Sequence, residues 1–330
     1  FGAILVNIPF TSVLNQVTDG VTQHGVLSIL YEAGILTELF PLLIFIAIGA
    51  MIDFTPLLQN PRLLLFGAAA QFGIFFTMAI ASLFGFSLKE AASIGIIGTA
   101  DGPTSIYVAS RFAKNLLGPI SVAAYSYMSL VPIIQPPVIK LLTTKKERMI
   151  RMDYHEKKIP KVVKILFPII VTLISGLIAP VSLALIGFLM FGNLIRECGV
   201  LERLSSAAQK ELANLVTLLL GITIGSTMTA DKFLQVDTLL VLGMGLVAFV
   251  FDTAGGVLFA KFLNLFLKRK INPMVGAAGI SAFPMSARVV QKMGQQEDPS
   301  NFLLMHAASA NFAGQIGSVI AGGLILALVK

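Results

Sequence analysis

Residues 62–86 form an apolar run with no charged side chain after Arg62. At 1.5 Å per residue, a helix over such a run reaches across the ~30 Å hydrocarbon core of a bilayer. Comparable runs cover 38–52, 89–113, 118–142, 165–179, 181–195, 212–230, 236–267, 272–290 and 301–328. The pattern predicts an all-α polytopic membrane protein. Composition agrees. The 330 residues are 56% hydrophobic and 12% charged, with a mean hydropathy of +0.86. An ordinary soluble domain is about 25% charged. A soluble enzyme, a disordered chain and a nucleic-acid binder are therefore excluded. The pI near 9.5 does not bring nucleic acid back, because the basic residues sit in loops between apolar runs.

Other bounds follow. Cys198 is the single cysteine, so there is no internal disulfide and no cysteine metal site. The chain starts at Phe1 without a signal-peptide pattern, and we expect natural N-terminal sequence to precede it. No nucleotide-binding glycine motif occurs in a soluble βαβ context, so ATP hydrolysis is not expected.

The loops orient the chain. Residues 143–164 carry Lys145, Lys146, Arg148, Arg151, Lys157, Lys158, Lys161 and Lys164 against Glu147, Asp153 and Glu156. The positive-inside rule makes this loop cytoplasmic. Lys268, Arg269 and Lys270 form a second basic cluster, and the four runs between the two put both on one side. His155 lies in the basic loop and reads as solvated. Residues 196–211 alternate charged and apolar side chains and read as a short interfacial helix. We divide the chain into a first membrane repeat (1–142), the basic loop (143–164) and a second membrane repeat (165–330).

Breaks within the runs say more than the runs. Unpaired backbone is costly in lipid, so interrupted helices occur only where protein or a water-filled cavity surrounds them. Transporters place such breaks at corresponding midplane positions of two halves. Here the breaks are Ala100-Asp101-Gly102-Pro103-Thr104 and the stretch NPMVGAAGISAFPMSAR at 272–288. A faint echo supports two related halves: AAYSYM follows the first break and AASANF the second, with Tyr127 in register with Asn311.

Several polar residues carry two readings each. Asp101 is either a helix cap or a cation ligand with Thr104 and Ser105 nearby. A lone carboxylate at mid-membrane, where insertion costs roughly 2.5–3.5 kcal/mol, favours the ligand. Asp252 is a second ion ligand or a hydrogen-bonding acid. Asp53 marks the end of a run, and Asp231 and Asp237 flank a span boundary. Arg288 either snorkels or holds a carboxylate through its planar fork. Tyr125 and Tyr127 are two apart and cannot share a helix face. Asn272 precedes Pro273 and reads as a turn residue or a site residue. Asn311 and Ser281 read as interhelical bonding groups or as site residues.

The segment GTADGPTSIYVASRFAKNLLGPISVAAYSYMSLVPIIQPPVIKLLTTKKERMIRM, residues 98–152, closely resembles the β subunit of the sodium-translocating biotin-dependent decarboxylases. Those complexes act on oxaloacetate, methylmalonyl-CoA or glutaconyl-CoA, and malonate decarboxylases have a related subunit. NPMVGAAGISAFPMSARVV and ASANFAGQIGS match the family's C-terminal half in order. Thr99 stands where the family's common form has glycine. The resemblance implies an elevator-like carrier of two inverted repeats with discontinuous helices. It implies a multi-pass subunit of a bacterial cytoplasmic (inner) membrane that decarboxylates carboxybiotin, consumes a proton and exports Na⁺. The family's functional positions fall on Asp101, Tyr127, Asn272, Gly276, Ser281, Arg288 and Asn311. Of these, Asp101, Asn311, Ser281 and Asn272 are expected at Na⁺. Arg288, Asn272 and Gly276 are expected at carboxybiotin, and Arg288, Tyr127 and Ser281 in catalysis. The expected partners are a biotin-carrying subunit, a carboxyltransferase subunit and a small γ-type membrane subunit, in a homo-oligomer within membrane lipid. The competing expectation is a Na⁺-coupled anion symporter of the same architecture without decarboxylation chemistry.

Overall fold

The computed structural model describes residues 1–9, 11–18, 21–153, 158–230, 235–282 and 284–329. His155, Glu156, Lys157 and Asp231 lie outside the described residues. Within them the backbone is helical apart from loops and a short antiparallel hairpin, Gln16–Thr18 with Val21–Gln23. Six helices are long and apolar enough to cross a membrane: Pro61–Leu83, Lys114–Leu142, Lys161–Ile178, Pro180–Cys198, Val236–Phe266 and Leu304–Leu328. A seventh crossing is supplied if Val26–Leu36 and Leu39–Met51, bent by 59°, count as one. The chain is a multi-pass membrane protein. Lys161–Ile178 turns Leu173, Leu177 and Ile178 outward, as a lipid-facing helix does. Leu304–Leu328 lies in the core, with Ala307, Ala310, Val319 and Ile325 buried.

Two of the expected spans do not cross. The run at 89–113 is Leu88–Gly95 and a 3₁₀ turn to Thr99, then Gly102–Phe112 after the break. Its 11-residue second half rises only about 17 Å, too little for a bilayer. Asn115 donates to Glu90 at 2.9 Å, so the chain returns to the end at which it entered. That end lies opposite the basic loop, because Lys114–Leu142 starts there and finishes at the loop. The run at 272–290 behaves alike from the other end. Met274–Ala277 and Met285–Glu297 are tied at their outer ends to one loop segment. Asn272 donates to the carbonyls of Arg148 and Ile150, each at 2.8 Å. Asn301 donates to the same two carbonyls, each at 3.3 Å. Arg148 pairs with Glu297 and Arg151 with Asp298, both at 2.6 Å. Arg151 thereby holds the Asp298 carboxyl below the usual carboxylate range. Both segments are re-entrant hairpins.

Other expectations need smaller changes. The charged stretch 196–211 is not a separate interfacial helix. Glu202–Ala207 continues through a π-helical turn, Ala208–Leu212, directly into Ala213–Gly225, since no glycine or proline interrupts it. Helix Leu117–Leu142 passes unbroken through Pro132, Pro136 and Pro137. Each proline removes one backbone donor, and no water is present in the hydrocarbon layer to compete for the remaining bonds. Lys261 reaches Glu147 at 3.1 Å. That contact puts the end of Val236–Phe266 beside the basic loop, which requires the continuous helix over 202–225, outside the six, to supply the fourth crossing between the two basic clusters.

Candidate functional site

The first hairpin turns at Ala100, a non-glycine residue in the left-handed region (φ 52°). Such a residue costs on the order of 1 kcal/mol or more and persists only where its surroundings hold it. The turn leaves Asp101 as the N-cap of Gly102–Phe112. Its carboxylate is 3% exposed, yet it does more than cap. Oδ1 accepts the Thr104 amide at 3.4 Å. Oδ2 accepts the Thr104 hydroxyl at 2.7 Å, the Ser318 hydroxyl at 2.8 Å and the Gln315 amide at 3.0 Å. No lysine or arginine is paired with it among the described residues. Ser105, expected beside it, turns its hydroxyl to the Asp101 carbonyl at 2.9 Å.

Ser281 occupies the tip of the second hairpin. Its amide and its hydroxyl both donate to the Thr99 carbonyl, at 3.0 and 3.1 Å. The two tips therefore meet beside Asp101. Asn311, on the last helix, donates to the carbonyls of Ile280 at 2.7 Å and Ala278 at 3.3 Å. Its Oδ1 is buried with no partner among the described residues. Buried acceptors are normally satisfied, so this oxygen is available to a cation. Asn311, Gln315 and Ser318 stand at i, i+4 and i+7, one face of the helix. One end of that face serves the second tip and the other serves Asp101.

The donor set has the chemistry of a monovalent site. It offers one carboxylate, hydroxyl oxygens at Thr104, Ser318 and Ser281, amide oxygens and hairpin carbonyls, all hard ligands. Among the described residues no three His, Cys, Asp or Glu side chains cluster as a multivalent metal site would need.

The other expected residues make no hydrogen bond to the Asp101 carboxylate among the described residues. Asn272 commits both amide hydrogens to the basic loop, while its oxygen accepts the Met274 amide at 3.0 Å. Gly276 is a close-packing position: a Cβ there would fall 2.0 Å from the Gly256 carbonyl oxygen. Tyr127 donates its hydroxyl to the Leu242 carbonyl, on Val236–Phe266. Tyr125 lays its ring against Gly102, and Tyr127 and Ile97 of the first hairpin both pack against Gly245. Arg288 is exposed on Met285–Glu297, with no side-chain partner among the described residues. Asp252 accepts the Ile74 amide at 3.2 Å, near the start of helix Phe72–Leu83, and so serves a helix start. Asp53 accepts the Thr55 amide at 2.9 Å. Gln315 and Ser318, which donate to Asp101, were not among the expected residues. Their signal was the polar spacing on an otherwise small-residue helix.

Comparison with known proteins comes from the whole chain. Residues 1–329 match the family described as Na⁺-transporting oxaloacetate decarboxylase beta subunit. The methylmalonyl-CoA decarboxylase subunit beta of Propionigenium modestum is 51% identical, over 99% of this chain and 87% of its own. The glutaconyl-CoA decarboxylase subunit beta of Acidaminococcus fermentans is 52% identical, over 100% of this chain and 85% of its own. The oxaloacetate decarboxylase beta chain of Klebsiella pneumoniae is 53% identical, over 92% of this chain and 72% of its own.

Proposed function

Since the chain belongs to the Na⁺-transporting oxaloacetate decarboxylase beta-subunit family, and is thus the membrane subunit of a decarboxylase sodium pump, we propose that the junction of its hairpin tips is the Na⁺ site. Asp101 supplies the charge. Thr104, Ser281, Asn311, Gln315 and Ser318 supply neutral oxygens. The observation that carries this reading is the Asp101 carboxylate, buried and bonded only to neutral groups, of which the Thr104, Gln315 and Ser318 side chains can rotate an oxygen toward a cation. A site of this kind strengthens every electrostatic interaction within it.

Arg288 holds the carboxylate of N-carboxybiotin. Tyr127 or Ser281 passes one proton to the ring nitrogen as the C–N bond breaks. The electron pair of that bond stays on nitrogen, CO₂ departs, and the donor is reprotonated from the medium, so one proton is consumed. Asn272 and Gly276 support the second hairpin without touching the ion. The sequence span, hairpin, span occurs at Pro61–Leu142 and again at Val236–Leu328, with the hairpins entered from opposite ends. This supports two inverted repeats and elevator-like movement. Coupling then requires only that Na⁺ bind the two conformations unequally.

The subunit works with partner subunits. In our reading these are a biotin-carrying and a carboxyltransferase subunit and a small γ-type membrane subunit, in a homo-oligomer of a bacterial cytoplasmic membrane. The basic loop faces the cytoplasm. Relatives named for three acyl substrates are about equally similar to this chain, which suits an acyl choice made in the carboxyltransferase. The test is a Na⁺ titration of CO₂ release. Asp101→Asn abolishes the Na⁺ dependence in this account; an unaltered titration in that variant removes Asp101 from the site.

A further inference from the structure

Helix Met285–Glu297 presents an unusual surface for a chain this apolar. Ser286, Ala287, Val289, Val290, Met293 and Gly294 are buried. Arg288, Lys292, Gln295 and Gln296 are exposed, at i, i+4, i+7 and i+8, a single face. That face exposes no apolar side chain beyond the partly buried Met285 at its start. The lipid-facing helix Lys161–Ile178 exposes leucine and isoleucine instead. A polar face on a re-entrant hairpin meets water or a polar ligand, since lipid would leave its donors unsatisfied.

The charges on this face are not neutralised. The nearest acids along the helix, Glu297 and Asp298, are taken by Arg148 and Arg151. Arg288 and Lys292 have no acidic partner among the described residues. They are neighbours one turn apart, about 5–6 Å between Cβ atoms. The helix runs from the tip that holds Ser281 to the basic loop, so Lys292 lies on the loop side of Arg288.

We propose that Lys292 is a positioning residue that draws the carboxylate of N-carboxybiotin from the basic-loop end along this face to Arg288. The proposal rests on the reading of Arg288 as the carboxylate holder. Two exposed, unpaired cations in series on one helix face raise the local concentration of an anion and its rate of arrival. Lysine acts here as a flexible point charge, whereas the arginine fork fixes orientation.

The test uses membranes that carry the chain with its natural partner subunits and no acyl substrate. Chemically prepared N-carboxybiotin is added and CO₂ release is followed. Lys292→Gln is expected to raise KM about tenfold and leave kcat within about twofold, the pattern of lost binding without lost chemistry. Lys292→Arg is expected to restore KM. Added KCl is expected to raise KM in the wild type and hardly at all in Lys292→Gln. A Lys292→Gln enzyme with wild-type KM, alongside an Arg288→Gln enzyme without turnover, overturns the role of Lys292 and leaves that of Arg288 standing. Wild-type turnover in Arg288→Gln overturns the reading of Arg288 itself.

Discussion

Ser281 gives two hydrogen bonds to one oxygen, the carbonyl of Thr99, from its amide at 3.0 Å and its hydroxyl at 3.1 Å. Through that oxygen the tips of two hairpins, entered from opposite ends of the molecule, are joined. Asp101 lies two residues beyond Thr99, so a change at either tip is felt at the carboxylate. The bond is also small enough to exchange. A neutral hydrogen bond is worth about 0.5–1.5 kcal/mol net, well within what binding of an ion can offset.

Gln315 and Ser318 are expected to set Na⁺ affinity. Both donate to Asp101 Oδ2, and neither touches Arg288. Gln315→Leu and Ser318→Ala each remove one partner of a buried charge, a loss of about 1–3 kcal/mol. The half-saturating Na⁺ concentration should rise roughly 5- to 150-fold in each. KM for N-carboxybiotin at saturating Na⁺ should not change. A Na⁺ titration of CO₂ release reads both.

Gly276→Ala separates packing from binding. The new Cβ falls 2.0 Å from the Gly256 backbone oxygen, and backbone cannot rotate away as a side chain does. Overpacking of this kind costs about 1–3 kcal/mol or more. The variant should melt earlier in detergent and be recovered in lower yield. The molecules that do fold should keep the wild-type Na⁺ titration. Normal melting with lost activity would put Gly276 in the site.

Asn272→Ala is expected to free the basic loop and spare the ion. It removes the two bonds to Arg148 and Ile150, leaving Asn301 as the remaining side chain on those carbonyls among the described residues. Trypsin should cut faster after Arg148 and Arg151. The Na⁺ titration should be unaltered. Lost Na⁺ response with unaltered proteolysis would make Asn272 a ligand.

Acid loosens the same region. The hydrogen bond and charge of Arg151 depress the folded-state pKa of Asp298 below its ordinary value, about 3.9 in the unfolded chain. A depressed carboxylate contributes stability above the unfolded pKa and loses it as pH falls through the folded one. Thermal stability in detergent should therefore fall below about pH 4 more steeply in the wild type than in Asp298→Asn. Near neutral pH that contribution is constant. Equal slopes would show that the pair adds nothing.

Much of this was written in the chain, and the rest was not for identifiable reasons. The break at Asp101 was legible because a carboxylate and Gly102-Pro103 interrupt an apolar run. That the run doubles back was not, because apolar length alone does not say where a helix reverses. The reversal hangs on Asn115 finding Glu90 and on the left-handed backbone at Ala100, which no glycine announces. The convergence of Asp101 with Ser281 joins residues far apart in sequence and exists only in three dimensions. Asn272 was expected at the site because the resemblance places a family position there; its amide bonds go to a loop that precedes it by more than 100 residues. Gln315 and Ser318 were readable in principle, at helical spacing from Asn311, but glycine and alanine around them hid the face.

The central claim is that Na⁺ crosses at the Asp101–Ser281 junction at the expense of decarboxylation. Its most direct test is ²²Na⁺ movement in sealed vesicles that contain the chain and its partner subunits. Each candidate acyl substrate is added with and without avidin, for the wild type and for Asp101→Asn. The account predicts that one substrate drives Na⁺ transport and CO₂ release, that avidin stops both, and that Asp101→Asn transports no Na⁺. Na⁺ movement that ignores avidin and accompanies anion uptake without CO₂ would contradict it, and would make the chain a secondary carrier.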